Sequence, residues 1–206
     1  MNHKSLIPLV ALGAVALAPT ANAAITLNFS DVVTGSPVGG PVYATLTIEN
    51  AGTNTVNFTM TNTTDPNVAG GQFISRLMLN VDPFVSGLDM SWTSPEIKDF
   101  QFKQDGVNDA GAMFDYGVYF VTANNGDRFT AGKTVTWSAT GDGLTEDNFI
   151  GQLSKGNASY ESMVQLQAIP PNGGSAKVTP GDPVPEPASL FALGLGATAL
   201  LRRRRQ

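Results

Sequence analysis

Six carboxylates in the middle of the chain, Asp99, Asp105, Asp109, Asp115, Glu146 and Asp147, are the residues best suited to chemistry. Two of them facing one another at about 5–10 Å would supply the acid and base of glycoside hydrolysis. Nothing in their spacing places any two together, and acids in solvated loops account for them better. Calcium is the next chemistry to weigh. Asp105-Gly106-Val107-Asn108-Asp109 and Asp142 with Glu146-Asp147-Asn148 are oxygen-rich turns, and Ca²⁺ takes six to eight oxygens from such loops. Val107 stands where an EF-hand needs Asp or Asn, so Asp105, Asp109 and Asp142 are calcium candidates without a motif. Asp and Asn also favour turns for local reasons. Stacking on sugar rings would fall to Trp92, Trp137, Tyr116, Tyr119 and Tyr160, although buried core is the usual place for such rings.

Other chemistries are excluded by residue type. The 206 residues include no Cys and one His, His3. Disulfides, thiolate metal sites and a Cys nucleophile are ruled out. Removal of the N-terminus would take the last imidazole, and with it Ser-His-Asp triads and His-ligated zinc. No phosphate loop, dinucleotide fingerprint or HExxH is present. Only 14% of residues are charged and the formal net charge is −5, with no basic stripe for nucleic acid. No cofactor is expected.

The elements that must position these residues are strands. Ile25-Thr26-Leu27-Asn28-Phe29-Ser30, Ala44-Thr45-Leu46-Thr47-Ile48-Glu49 and Val56-Asn57-Phe58-Thr59-Met60-Thr61 alternate apolar and polar. Such period-two runs mark half-buried strands. Further strands are predicted at 73–81, 97–103, 114–122, 134–139 and 163–169, separated by turn clusters. Residues 145–153 read as one short helix with Thr145 as N-cap. Asn148 there replaces the Glu or Gln of a capping box. The expectation is an all-β domain over 24–170, an antiparallel β-sandwich or jelly roll. A flexible Pro/Gly linker is expected over 171–183.

The ends are more specific. Lys4, an apolar run from Leu6 to Leu17, and Ala21-Asn22-Ala23 make a secretory signal peptide over 1–23, with Ala21 and Ala23 setting cleavage. At the other end, over 184–206, Pro185-Glu186-Pro187 precedes an apolar stretch at 188–201, then Arg202, Arg203, Arg204 and Arg205. Pro-Glu-Pro cannot continue a helix. The apolar stretch is a short hydrophobic helix of roughly 21 Å at 1.5 Å per residue, less than the ~30 Å hydrocarbon core. The arginines set topology, staying cytoplasmic while the preceding domain lies outside.

This tail resembles the PEP-CTERM sorting signal of exopolysaccharide-producing Gram-negative bacteria, which some collections label an ice-binding protein C-terminal domain. The resemblance covers about a tenth of the chain. It implies recognition by an exosortase, cleavage near Pro185-Glu186-Pro187, and delivery to the cell surface or extracellular matrix. The partners expected are the Sec translocon and exosortase during export, the membrane transiently through the tail, and exopolysaccharide, with no nucleic acid. The leading expectation is a non-enzymatic structural or adhesive protein of an exopolysaccharide layer. A carbohydrate-binding module and a carboxylate-dependent polysaccharide hydrolase are the alternatives. Residues 24–185 hold 7 Lys or Arg against 16 Asp or Glu, so the domain is more acidic than its precursor.

Overall fold

The computed structural model describes residues 24–123 and 126–181. The expected signal peptide, the Pro-Glu-Pro motif, the apolar segment at 188–201 and the arginines all lie outside them. Among the described residues the strands are β1 (Ile25–Thr34), β2 (Ala44–Asn50), β3 (Thr55–Asn62), β4 (Phe73–Leu79), β5 (Asp89–Trp92) and β6 (Ile97–Asp109). They continue with β7 (Ala112–Phe120), β8 (Phe129–Thr130), β9 (Thr134–Thr140), β10 (Lys155–Gly156), β11 (Ser162–Ile169) and β12 (Gly174–Pro180). A single helical turn, α1 (Pro66–Ala69), is capped by Asp65, whose carboxylate accepts from the Asn67 amide.

The all-β, antiparallel expectation holds, and all eight predicted strands are present. Hydrogen bonding does not divide them into two sheets. One open sheet runs β10-β7-β4-β11-β12-β1-β2-β3-β9-β5, with β6 on β7 and β8 on β4. Register shifts interrupt β1 twice, β4 at Ser75 and β11 near its end, and bulges of this kind bend a strand and increase its twist. Rings from distant parts of the sheet meet. Phe58 on β3 lies 6.2 Å from Tyr116 on β7, and Trp137 on β9 lies 6.4 Å from Phe100 on β6. The principal core gathers there around Leu46, Ile48, Phe58, Met60, Tyr116 and Trp137.

Two expectations are corrected. The stretch 171–183 is not a linker throughout, because β12 occupies Gly174–Pro180 and pairs on both sides, with β11 and with β1. Ala176 and Val178 are fully buried, which fixes that strand despite its glycine and its proline. The helix expected over 145–153 is only a 3-10 turn, Glu146–Phe149. Asn148 does cap it: its Oδ1 accepts from the Thr145 amide at 2.8 Å, the contact a Glu or Gln would make.

The β6–β7 hairpin is longer than the sequence suggests. Its register shifts between Phe102 and Val107. Beyond that shift, Val107 joins Ala112, Phe114, Met78 and Met163 in a second apolar cluster. Met163, Met78 and Gly117 are cross-strand partners in one row. A Cβ on Gly117 would sit 3.2 Å from the Tyr119 ring and 3.3 Å from a Val107 methyl, so a larger residue there would require both to shift by a few tenths of an ångström. Middle strand β4 is consequently buried on both faces, which is why Leu77-Met78-Leu79 does not alternate.

Candidate functional site

On the outer face, next to that hairpin end, a polar row crosses the sheet. Lys177 on β12 pairs with Gln165 on β11, Gln165 with Arg76 on β4, Arg76 with Tyr119 on β7, and Tyr119 with Asp99 on β6. A bulge places Arg76 in it. Gln165 pairs with Arg76 and Leu166 with Ile74, leaving Ser75 as the extra residue, its hydroxyl donating to the Gln165 carbonyl at 3.1 Å. That insertion lets Ile74 and Leu77 both face the principal core while Arg76 faces outward.

Arg76 is oriented from two sides. Its guanidinium donates to Asp109 at the hairpin end and lies 5.8 Å from the centre of the Tyr119 ring. The other Asp109 oxygen meets Lys177 Nζ at 2.7 Å, and the carboxylate is only 7% exposed. Two cations thus hold one carboxylate. The Tyr119 hydroxyl donates to Gln101 Oε1 at 2.7 Å. An open groove of roughly 580 Å³ lies over this row, with Arg76, Lys98, Asp99, Gln101, Tyr119 and Gln165 among its lining residues. It continues into a second depression that shares Thr122, Gln165 and Gln167 and reaches Arg128. Arg128 sits over the Phe73 ring at 4.5 Å, and its Nε and Nη2 donate to the Thr122 carbonyl. Sequence reasoning reached two of its lining residues, Tyr119 and Asp99, but not the groove itself. Its signal was the polar interruption of apolar strands by Arg76, Gln165 and Gln167.

The carboxylates singled out from the sequence are mostly apart. Asp99 is exposed on β6, where it accepts from the Phe100 amide at 2.8 Å. Asp105 and Asp115 do come together, but each is engaged. Asp115 accepts from the amides of Asp105 and Val81, at 2.7 and 3.0 Å, and Asp105 Oδ2 meets Lys155 Nζ at 2.7 Å. That hydrogen bond, reinforced by the Asp105 charge, raises the Lys155 pKa. Asp142 accepts from the Asn54 side-chain amide at 3.1 Å. Asp147 is exposed and Glu146 buried. Among the described residues no three His, Cys, Asp or Glu come together as a metal site. The calcium candidates instead face Lys155 (Asp105), Arg76 and Lys177 (Asp109), and Asn54 (Asp142).

The aromatic candidates divide. Trp137 is 3% exposed and stacks on Phe58 at 5.0 Å, and Tyr116 is fully buried, so neither offers a face to solvent. Trp92 is 41% exposed on β5, the last strand of the sheet path, edge-on to Phe100. Tyr160 is half-buried beside the Met78 cluster.

Among the described residues no helix is long and apolar enough to cross a membrane. Residues 183–205 match the family model of the PEP-CTERM protein-sorting motif. No curated protein and no solved structure matches the chain. The motif identifies an exosortase-targeted, secreted protein, exported to the cell envelope or surface.

Proposed function

We propose that this chain is a non-enzymatic protein of the cell surface or extracellular matrix, with a structural or adhesive role in an exopolysaccharide layer. The observation that carries the reading is the position of the sorting motif. It begins at residue 183, three residues beyond the end of β12 at Pro180, so processing within it leaves the whole sheet intact. In this reading the chain passes the Sec translocon, is held briefly by its tail, and is released by exosortase at Pro185-Glu186-Pro187. Arg202, Arg203, Arg204 and Arg205 keep the tail end cytoplasmic. The meeting of rings from distant strands supports a sandwich-like closure of the bent sheet, a shape suited to a stable spacer. The engagement of Asp99, Asp105, Asp109 and Asp115 in ion pairs and amide contacts supports a non-enzymatic role.

The test replaces Pro185-Glu186-Pro187 with three alanines in the host and follows the protein by fractionation and intact mass. The wild-type protein should lose its tail and reach the matrix, while the variant keeps its tail and stays with the cell membrane. A variant that still loses its tail and reaches the matrix overturns the sorting mechanism. Loss of the protein should also loosen the polymer layer, measured as polysaccharide shed into the medium. Unchanged shedding overturns the structural role.

A carbohydrate-binding role is the second reading, favoured by the half-exposed Trp92 and by the outer groove.

A further inference from the structure

We propose that the groove on the outer face of β4, β7 and β11 binds an acidic polysaccharide, a chain of sugar rings bearing carboxylates among their hydroxyls. The first argument is charge. Residues 24–181 carry seven Lys or Arg against fifteen Asp or Glu. Yet the residues lining the groove and its continuation include Arg76, Lys98 and Arg128 and a single acid, Asp99. Lys177 adds a fourth cation beside Gln165, and Asp109, held by Arg76 and Lys177 together, offsets only one of that pair. A cationic strip on an acidic domain concentrates a polyanion there and repels it elsewhere.

The second argument is the kind of polar group. Gln165 and Gln167 supply amides that both donate and accept, whereas the Gln101 amide is engaged by the Gly106 carbonyl and the Tyr119 hydroxyl. Paired hydroxyls on a sugar ring need both a donor and an acceptor. Tyr119 adds a ring face held in place by its hydrogen bond to Gln101. The guanidinium of Arg128, supported on Phe73 and the Thr122 carbonyl, is suited to a carboxylate.

Shape and pairing narrow the ligand class further. The two depressions share three residues and together run from Lys98 to Arg128, which fits a polymer rather than a single sugar. A peptide adding as a strand needs a free sheet edge. β4, β7 and β11 are each paired on both sides, while β6 at the rim of the groove is paired with β7 alone, an edge that the polyglutamate control tests. Nucleic acid carries a phosphate at every residue and favours a denser basic surface and several stacking rings. The inference rests on the matrix reading only for where the polymer is met, since binding itself is a property of the folded domain.

The experiment uses the purified full-length chain in mild detergent, with polygalacturonate and alginate as acidic probes and dextran as the neutral one. Polyglutamate and a single-stranded oligonucleotide are the polyanion controls. Affinity electrophoresis should show retardation by an acidic polysaccharide, weakening as salt rises, and none by dextran. The Lys98→Ala/Arg128→Ala variant should bind at least tenfold more weakly, and Gln165→Ala/Gln167→Ala should weaken binding with the charge unchanged. Thermal unfolding of each variant establishes that it is folded. The proposal is overturned if no acidic polysaccharide binds, if dextran binds equally, or if folded variants bind as the wild type does. Equal binding of polyglutamate or the oligonucleotide, unaffected by the glutamine substitutions, would mean bare charge attraction and would also overturn it. Failure of the Pro185-Glu186-Pro187 experiment leaves these measurements unaffected.

Discussion

Phe58 and Tyr116 lie at the centre of the principal core, and each gives a measurable consequence. Phe58 stacks on Trp137 at 5.0 Å with rings 2° from parallel, and meets Phe149 edge-on at 5.0 Å. Phe58→Ala should cost about 3–5 kcal/mol, read as a lowered urea midpoint. Burial pushes the Tyr116 phenol well above its ordinary range, with the Trp137 side chain pulling it back in part. The fold therefore disfavours the ionised phenol. Its contribution is intact below about pH 10, the ordinary phenol value, and is lost as pH rises beyond it. Apart from the Trp137 side chain, the Tyr116 hydroxyl has a 3.9 Å contact to Met90 sulfur. Tyr116→Phe should change neutral-pH stability by no more than about 1.5 kcal/mol while moving alkaline unfolding, followed by circular dichroism, to higher pH. An unchanged alkaline midpoint would count against this. The burial of Phe58 was legible in its alternation with Asn57 and Thr59. The orientation of Arg76 was not, because a one-residue bulge at Ser75 reverses which face it takes and leaves no mark in composition.

At the scale of elements, period two located the longer strands and failed at three kinds of place. Strands with few alternating apolar residues, β5, β8 and β10, were hidden because neighbouring strands rather than their own sequence hold them. The end of β6 was hidden because its partner is the second apolar cluster, visible only once Met78 and Met163 share a row. β12 was hidden by Gly174 and Pro180, which suggest a linker. The difference is testable by truncation. A chain ending at residue 181 should unfold with the same midpoint as one carrying the tail. A chain ending at residue 173 should lose its cooperative transition, since β1 and β11 are then bared along their facing edges. A linker at 174–180 would leave both truncations alike.

For the molecule as a whole, composition correctly indicated a domain that must hold itself together by its core. With no Cys anywhere in the chain, two apolar clusters and one continuous ladder do that work. The sorting motif was legible because its three parts are local in sequence. The groove was not, since its residues come from β4, β6, β7 and β11 and from Arg128 before β8. One consequence follows from where β12 sits. Synthesis proceeds from the N-terminus, so β1 forms early and pairs with β2, but its other edge waits for a partner some 150 residues later, Phe29 meeting Pro180. Pairing across such separations is slow, and an open edge left waiting is prone to stick to its neighbours. The strand that ends the wait is followed almost at once by the sorting motif. Completion of the sheet and appearance of the signal are therefore nearly the same event in time, and a chain stalled before β12 carries no address.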